Sequence, residues 1–343
     1  MKRSRRTSRI PESHPGLFDG LDSGADDFGM REIVAETVEK LRAREAAASA
    51  DDIPAIDPRA VKRAERLMFV SFGSGSSGNC AYVGTRTAGV LLDAGVDSQV
   101  VLDRLRDNGL DFARCVRGII LTHDHADHVR YAYPLLRRYP DKRLWATPKT
   151  LSGILRRHNI SRRIKDYHQP IYKEFEFEVA GLAITPFETS HDGTDNVGFS
   201  IRLGTETFVV ATDMGYATER AMHYMSAATA LMLESNYDAR MLATGRYPQY
   251  LQARIRGDRG HMDNTDTAHV LRQLWTPALH HVLLCHLSHD NNTPELATAA
   301  SREALTAAGA IVVEGTQASF ARRPSQVQLT ALPRFDQSPL FIF

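Results

Sequence analysis

The segment T-H-D-H-A-D-H at residues 122–128 constrains this chain more than any other feature. It directly follows the apolar run G-I-I-L, which predicts a buried strand, and it supplies His123, His125, Asp127 and His128. Alternation along an extended chain puts His123 and His125 on one side, where they can share a metal ion. Asp127 and His128 follow the turn and can reach a second ion. Imidazole nitrogen and carboxylate oxygen together suit zinc, manganese or iron. The alternative, a solvated polar turn capped by Asp124 or Asp127, does not account for three histidines after an apolar strand.

The composition excludes several classes of protein. The 343 residues include 42 Lys and Arg against 41 Asp and Glu, and this net charge of +1 argues against a uniformly basic, nucleic-acid-coating surface. The three cysteines cannot form a disulfide framework, and none lies in a C-x-x-C pair. The charged N-terminus lacks the apolar run of a secretory signal, and no stretch reaches the roughly 18 apolar residues of a membrane span. We therefore expect a cytoplasmic protein without a membrane segment.

Charge and periodicity divide the chain into three parts. Residues 1–61 are expected to be a largely disordered extension with one possible helix at 31–48, because a basic block (1–10) and an acidic block (11–30) are usually solvated. A basic arm that contacts nucleic acid is the alternative for the first block. Residues 62–325 form the main domain, and residues 326–343 are expected to be a C-terminal tail. Strand-like runs precede helical segments in both halves of the domain, which predicts an α/β sandwich.

The H-x-H-x-D-H motif resembles the signature of metallo-β-lactamase-fold hydrolases. The resemblance implies an αββα sandwich with two divalent metal ions, Zn or Mn, at the edge of the sheets. It also implies further site residues, each after an apolar or strand-like run: Asp93, His191, Asp213 and His286. Taken one at a time, these four could be a hairpin turn residue, a loop histidine, a helix N-cap and a core histidine.

The resemblance also implies how the ligands are divided. One metal ion would take His123, His125 and His191. The other would take Asp127, His128 and His286, with Asp213 bridging the two and Asp93 orienting ligands from behind. Redox di-iron members usually carry Glu in place of His125, and nothing in the chain resembles a flavin module, so hydrolytic chemistry is favoured.

Three further segments resemble the YycJ/WalJ group of exonucleases, which is described as degrading duplex DNA from the 5′ end. They are S-G-S-S-G-N-C at 74–80, the stretch 246–268 and the stretch 285–297. The resemblance covers approximately residues 66–320. It departs at Met262-Asp263, where Leu-Ser is expected, and this puts fine substrate preference in doubt.

Glu234 and His261 are similar to a Glu/His pair that handles the leaving-group proton in tRNA-processing metallo-hydrolases. We therefore expect Asp127, Glu234 and His261 to be the catalytic side chains. The plainer alternatives are a helix N-terminal charge for Glu234 and a turn residue after Gly260 for His261.

Basic residues gather in two runs. Residues 137–165 contain ten Lys or Arg and one acid, which a solvated surface helix explains equally well. Residues 240–259 contain five arginines with Tyr247 and Tyr250 interleaved. Because arginine forks grip phosphates and tyrosines stack on bases, this second run favours a substrate surface. The residues expected to contact substrate are Arg254, Arg256, Arg259 and Asn264.

Together these features predict a two-metal phosphodiesterase, and the resemblance implies a 5′-to-3′ exonuclease whose partner is DNA. An RNA-processing nuclease with the same mechanism stays open, because nothing in the ligands separates the two polymers. A small-molecule hydrolase acting on lactones, thioesters or cyclic nucleotides also stays open, because fold alone does not give function. A metal-binding scaffold without catalysis is disfavoured by the complete ligand set. Oligomeric state and the role of residues 1–61 stay open.

Overall fold

Two mixed β-sheets form the centre of the fold in this computed structural model, which describes residues 65–315 and 323–343. These residues belong to the second of the chain's two units, Ala64–Phe343. The expected extension at 1–61 and its possible helix at 31–48 lie outside the described residues.

The first sheet has seven strands in the order β15-β1-β2-β3-β4-β5-β6. The strands are β1 (Met68–Gly73), β2 (Cys80–Gly84), β3 (Gly89–Leu92), β4 (Val116–Ile120), β5 (Arg143–Ala146), β6 (His168–Pro170) and β15 (Phe341–Ile342). Strands β3 to β6 pair in parallel, so their carboxyl ends point the same way.

The second sheet has eight strands in the order β13-β14-β12-β11-β10-β9-β8-β7. The strands are β7 (Phe177–Val179), β8 (Leu182–Glu188), β9 (Val197–Leu203), β10 (Glu206–Ala211), β11 (Ala230–Glu234), β12 (His281–Cys285), β13 (Ile311–Glu314) and β14 (Gln326–Ala331). Its central strands β10, β11 and β12 are parallel neighbours.

Helices cover the outer faces of both sheets. They are α1 (Ser98–Asp107), α2 (Phe112–Cys115), α3 (Ala126–Val129), α4 (Ala132–Arg138), α5 (Pro148–Arg157), the 3-10 helix Arg162–Tyr167, α6 (Glu219–Met225), α7 (Ala239–Thr244), α8 (Gln249–Arg256), α9 (Asn264–Leu274) and α10 (Pro294–Ala307). Several begin at a side-chain cap: Thr147 accepts from the backbone of Thr150 at α5, and Asp263 from that of Asp266 at α9.

Three apolar layers separate four layers of secondary structure. The alternation of side chains along β11 shows the arrangement: Met232 packs between the two sheets, whereas Leu231 and Leu233 pack against the helices outside the second sheet. A third cluster joins the first sheet to α1, α4 and α5 through residues such as Leu105 and Ile154. The predicted αββα sandwich is confirmed.

The expected C-terminal tail is wrong, because residues 326–343 are part of the sandwich. Strand β14 lies between β12 and β13, and β15 pairs with β1 at the edge of the first sheet. Phe341 and Phe343 are buried in the layer between the sheets. The domain therefore does not end at residue 325. The physical reason is that burying Phe341 and Phe343 removes apolar surface from water, and that β15 satisfies the backbone groups at the edge of β1.

Candidate metal centre

The site residues lie where parallel strands end. Asp93 follows β3, Asp213 follows β10 and His286 follows β12, and all three have positive φ values of 58°, 52° and 55°. Such left-handed backbone is uncommon outside glycine and tends to mark functional sites, because the surrounding fold must hold it in place. Here it turns the three side chains inward at the edge shared by both sheets.

The first group of candidate ligands is His123, His125 and His191, whose ligand nitrogens all lie within 4.8 Å of one another. Nδ1 of His125 is 3.2 Å from Nε2 of His191. Two ligands on one tetrahedral ion at about 2.1 Å are roughly 3.4 Å apart, so this spacing suits a shared ion. The structure brings together the three residues that the resemblance grouped.

The second group is Asp127, His128 and His286. Oδ2 of Asp127 lies 3.7 Å from Nε2 of His128 and 3.6 Å from Nε2 of His286. Burial alone would raise the pKa of Asp127, but the neighbouring His128 and His286 outweigh it and lower that pKa to about 2. The carboxylate is therefore ionised and able to act as a ligand at neutral pH.

Asp213 lies between the two groups. Its Oδ2 is 3.6 Å from Nε2 of His128, of His191 and of His286, and 3.8 Å from Nε2 of His123. One carboxylate oxygen thus faces histidines of both groups, which is the position a bridging ligand occupies.

Buried partners on the far side of the imidazoles fix which nitrogen faces the centre. Nδ1 of His128 donates to Oδ2 of Asp93 at 2.8 Å. The Thr122 hydroxyl donates to Asp93 and so accepts from Nδ1 of His123 at 3.0 Å. Nδ1 of His191 donates to the carbonyl of Gly260 at 2.9 Å. Each contact occupies Nδ1 and leaves Nε2 facing the centre, where a metal ion could bind it.

The donor set fits divalent metal ions. Nε2 of His123 and of His286 is buried without a hydrogen-bond partner among the described residues. A buried nitrogen without a partner is costly, and a coordinated ion would satisfy both atoms. Burial also lowers the pKa of His191 to about 4, which keeps its imidazole neutral and able to bind metal. The residues could therefore hold metal, and imidazole with carboxylate suits zinc or manganese.

Glu234 and His261 form a pair beside the second group. Nδ1 of His261 donates to Oε1 of Glu234 at 2.7 Å, and the same oxygen lies 3.2 Å from Nδ1 of His286. Burial alone would lower the pKa of His261, but the Glu234 carboxylate outweighs it and raises that pKa. The pairing with Glu234 therefore favours the protonated form of His261, in which Nε2 also carries a proton.

The predicted substrate contacts have unequal surroundings. Arg254, Arg256 and Arg259 are exposed, yet Arg254 Nε donates to Asp192 at 2.8 Å and Arg259 Nε donates to the carbonyl of His191 at 3.1 Å. Asn264 is buried, and its side chain bonds to Ser235 and Asn292. The prediction of a direct substrate contact is therefore withdrawn for Asn264, because its polar atoms serve a network inside the fold.

Sequence reasoning missed Asp192 and Thr122. Asp192 lies 3.1 Å from Nε2 of His125, and Thr122 links Asp93 to His123. Both residues adjoin predicted ligands in sequence, at 191–192 and 122–123, and this adjacency was the available signal.

A cavity of about 200 Å³ opens onto the site. Its lining includes His191, His261 and His286 together with Ser76, Tyr247 and Arg254. A second cavity of about 590 Å³ adjoins it across His191 and includes Lys149 and Arg259. Within the described residues, no helix combines the length and the apolar character that crossing a bilayer requires.

A family model for the beta-lactamase superfamily domain matches residues 89–287. The chain therefore belongs to the metallo-β-lactamase superfamily, a family of hydrolases, as the fold and the ligand set indicate.

Two curated exodeoxyribonucleases are similar to the chain. YycJ of Bacillus anthracis is 32% identical over 232 residues, which cover 67% of this chain and 86% of that protein. WalJ of Streptococcus pneumoniae is 29% identical over 225 residues, which cover 65% of this chain and 82% of that protein. The crystal structure of YhfI, a metallo-β-lactamase fold protein from Bacillus subtilis, matches with a TM-score of 0.57 at 15% identity and covers 81% of this chain and 100% of that one. That last likeness concerns the fold alone.

Proposed function

We propose that this protein is a two-metal phosphodiesterase that degrades double-stranded DNA from the 5′ end. The observation that carries the proposal is Asp213, whose Oδ2 faces histidines of both ligand groups at 3.6 to 3.8 Å. The likeness to YycJ supports DNA as the substrate.

Hydrolysis of a phosphodiester needs an activated nucleophile, stabilisation of the phosphoryl charge and a proton for the leaving oxygen. Divalent ions held by the two groups would polarise the phosphoryl oxygens and activate water. Asp213 and Asp127 would hold those ions. Asp93 and Thr122 keep the ligand imidazoles in the required orientation.

His261 would supply the proton to the leaving oxygen. Glu234 occupies its Nδ1, so Nε2 is the nitrogen available at the cavity. Glu234 is itself fixed, because its Oε2 accepts from the backbone N–H of Met214 at 2.8 Å. A fixed carboxylate holds the ring in one orientation and stabilises its protonated form, as a general acid requires.

The surroundings favour a polymer over a small molecule. Ordinary small-molecule pockets are lined mainly by apolar side chains, whereas the cavity of about 200 Å³ is lined mainly by polar ones. The adjoining cavity of about 590 Å³ adds the basic residues Lys149 and Arg259. A lactone or thioester hydrolase would be expected to enclose its substrate in an apolar pocket.

A substrate panel tests the proposal. Purified protein with Mn²⁺ or Zn²⁺ is given 5′-phosphorylated duplex DNA, single-stranded DNA and RNA at one stated salt concentration, beside a His125→Ala control. We expect mononucleotide release from the 5′ end of duplex DNA that the control lacks. Faster digestion of RNA would transfer the proposal to RNA processing, and turnover of small esters without any nuclease activity would overturn it.

A further inference from the structure

The guanidinium of Arg334 lies at the mouth of the metal centre. Its Nη1 donates to the carbonyl of Leu287, the residue after His286, at 2.8 Å. Its Nη2 donates to the hydroxyls of Ser76 and Ser77 at 2.8 and 3.2 Å. Ser76 lines the same cavity as His261 and His286. A residue from the last twenty of the chain is thereby held beside the second ligand group.

The cluster of Arg334, Ser76 and Ser77 has unused donors. Because each serine oxygen accepts from Arg334, each hydroxyl proton is available to an outside acceptor, and both serines are exposed. Nε of Arg334 is buried and has no hydrogen-bond partner within the described part of the chain. Among the described residues, the two serine hydroxyls therefore donate to no partner, and they lie beside a half-buried guanidinium.

The charge of Arg334 has no ion pair within residues 65–315 and 323–343. Its hydrogen bonds there go to neutral groups, the carbonyl of Leu287 and the hydroxyls of Ser76 and Ser77. Burial lowers the pKa of Arg334, while Tyr247, Asp290 and Asp127 act in the opposite direction from farther away. A half-buried cation without an ion pair is costly in isolation, and an anionic ligand would offset that cost.

We propose that Arg334, Ser76 and Ser77 bind a backbone phosphate of the DNA strand next to the phosphodiester at the metal centre. The two exposed serine hydroxyls would donate to the phosphate, and the guanidinium that holds them would supply positive charge beside it. The inference rests on the proposed nuclease function, and it adds a binding subsite outside the arginine-rich segment at 240–259.

The surface beyond the cluster suits the continuation of a strand. A cavity of about 280 Å³ begins at Ser77 and Arg334 and includes Arg130, Tyr131 and the exposed Phe335. The guanidinium of Arg334 lies 5.3 Å from the centre of the Phe335 ring, which helps to hold it in place. Successive phosphates of the DNA strand would lie along Arg334 and Arg130, and the exposed Phe335 ring would be available to stack on a base.

Kinetics of Arg334→Ala on two substrates test the proposal. One is 5′-phosphorylated duplex DNA, and the other is bis(p-nitrophenyl) phosphate, a diester with no neighbouring phosphate. Charged hydrogen bonds contribute enough for a loss of roughly 10-fold to 100-fold in kcat/KM for DNA, mainly through KM. The loss on the small diester should be far smaller. The exposed Arg272→Ala serves as the matched control and should change neither.

A second readout identifies the contact as a phosphate. Neutral methylphosphonates are placed one linkage at a time near the 5′ end. One linkage should slow the wild-type protein but not Arg334→Ala, since the contact is already lost. Equal slowing of both proteins at every linkage would overturn the inference.

Outcomes for the subsite and for the nuclease function are distinguishable. Equal DNA kinetics for wild-type protein and Arg334→Ala overturn the subsite and leave the nuclease function standing. A wild-type protein that cleaves the small diester but no DNA overturns both. If Arg334→Ala does not fold, the Ser76→Ala/Ser77→Ala variant replaces it and should raise KM for DNA several-fold; an unchanged KM would count against the subsite.

Discussion

Oδ1 of Asp192 lies 3.1 Å from Nε2 of His125, while Oδ2 of the same carboxylate accepts a hydrogen bond from Arg254. The carboxylate therefore links a candidate metal ligand to helix α8. His125 and Arg254 hold the pKa of Asp192 well below its usual range, against the effect of partial burial. His125 differs from the other candidate ligand histidines, because its Nδ1 rather than its Nε2 faces the ligand group.

Replacing Asp192 with Asn should weaken metal binding rather than unfold the protein. Partners behind a ligand histidine contribute roughly 10-fold to 100-fold to metal affinity. Chelator competition, monitored by metal content and activity, measures the change, and added metal should restore activity. Asp103→Asn, which alters an exposed carboxylate paired with Arg106, is the control. Unaltered metal affinity in the Asp192 variant would show that the contact does not orient His125.

The arginines of the second basic run should separate into two kinds. Arg256→Ala should weaken DNA binding and make the slope of log K against log salt shallower by about one, as loss of one phosphate contact does. Arg254→Ala should in addition reduce metal retention, because it releases Asp192. Binding titrations at several salt concentrations, with metal analysis of each variant, compare the two. Identical behaviour of the two variants contradicts a positioning role for Arg254.

His261→Ala should slow substrates whose leaving oxygen needs a proton more than substrates whose leaving group needs none. General acid catalysis contributes roughly 10²-fold to 10⁴-fold, so kcat on DNA should fall by about that factor. The p-nitrophenolate group leaves without protonation, so kcat on bis(p-nitrophenyl) phosphate should fall much less. Glu234→Gln should shift both rates in the same pattern. Equal losses on the two substrates would instead place His261 in metal binding, since Asp213, Glu234, His261 and His286 also lie close enough together to hold an ion.

The last strand should contribute measurably to stability. Phe341 is 1% exposed, pairs with Phe69 of β1 and packs between the sheets. Phe341→Ala should lower the free energy of unfolding by about 3–5 kcal/mol, the usual cost of removing a buried aromatic ring. Urea denaturation measures it, with Phe175→Ala as the control because Phe175 is 71% exposed. A similar loss in both variants would mean that β15 is not part of the cooperative core.

The sequence contained most of what positions the metal centre. The four candidate ligands in residues 123–128 are local in the chain, and the others each follow an apolar or strand-like run, so a strand-end pattern locates them. Their division into two groups came from resemblance, because spacing alone does not say which of two nearby ions a side chain reaches.

The parts that escaped prediction depend on contacts between distant segments. Helix α8 has no buried residue, so its sequence lacks the apolar periodicity from which a helix is predicted. Strand β15 is two residues long and forms only because the edge of β1 is open. Asn264 follows the arginine-rich segment 240–259 in sequence, yet its side chain turns inward to Asn292, twenty-eight residues away.

The central claim, that Asp213 joins two metal ions into one phosphodiesterase site, is tested most directly by Asp213→Asn. Metal content per chain and release of 5′-labelled mononucleotide from duplex DNA are measured on the same preparations. We predict about two divalent ions in the wild-type protein, loss of at least one in the variant, and a fall in rate of roughly 100-fold or more. A variant that digests duplex DNA at the wild-type rate would contradict the account.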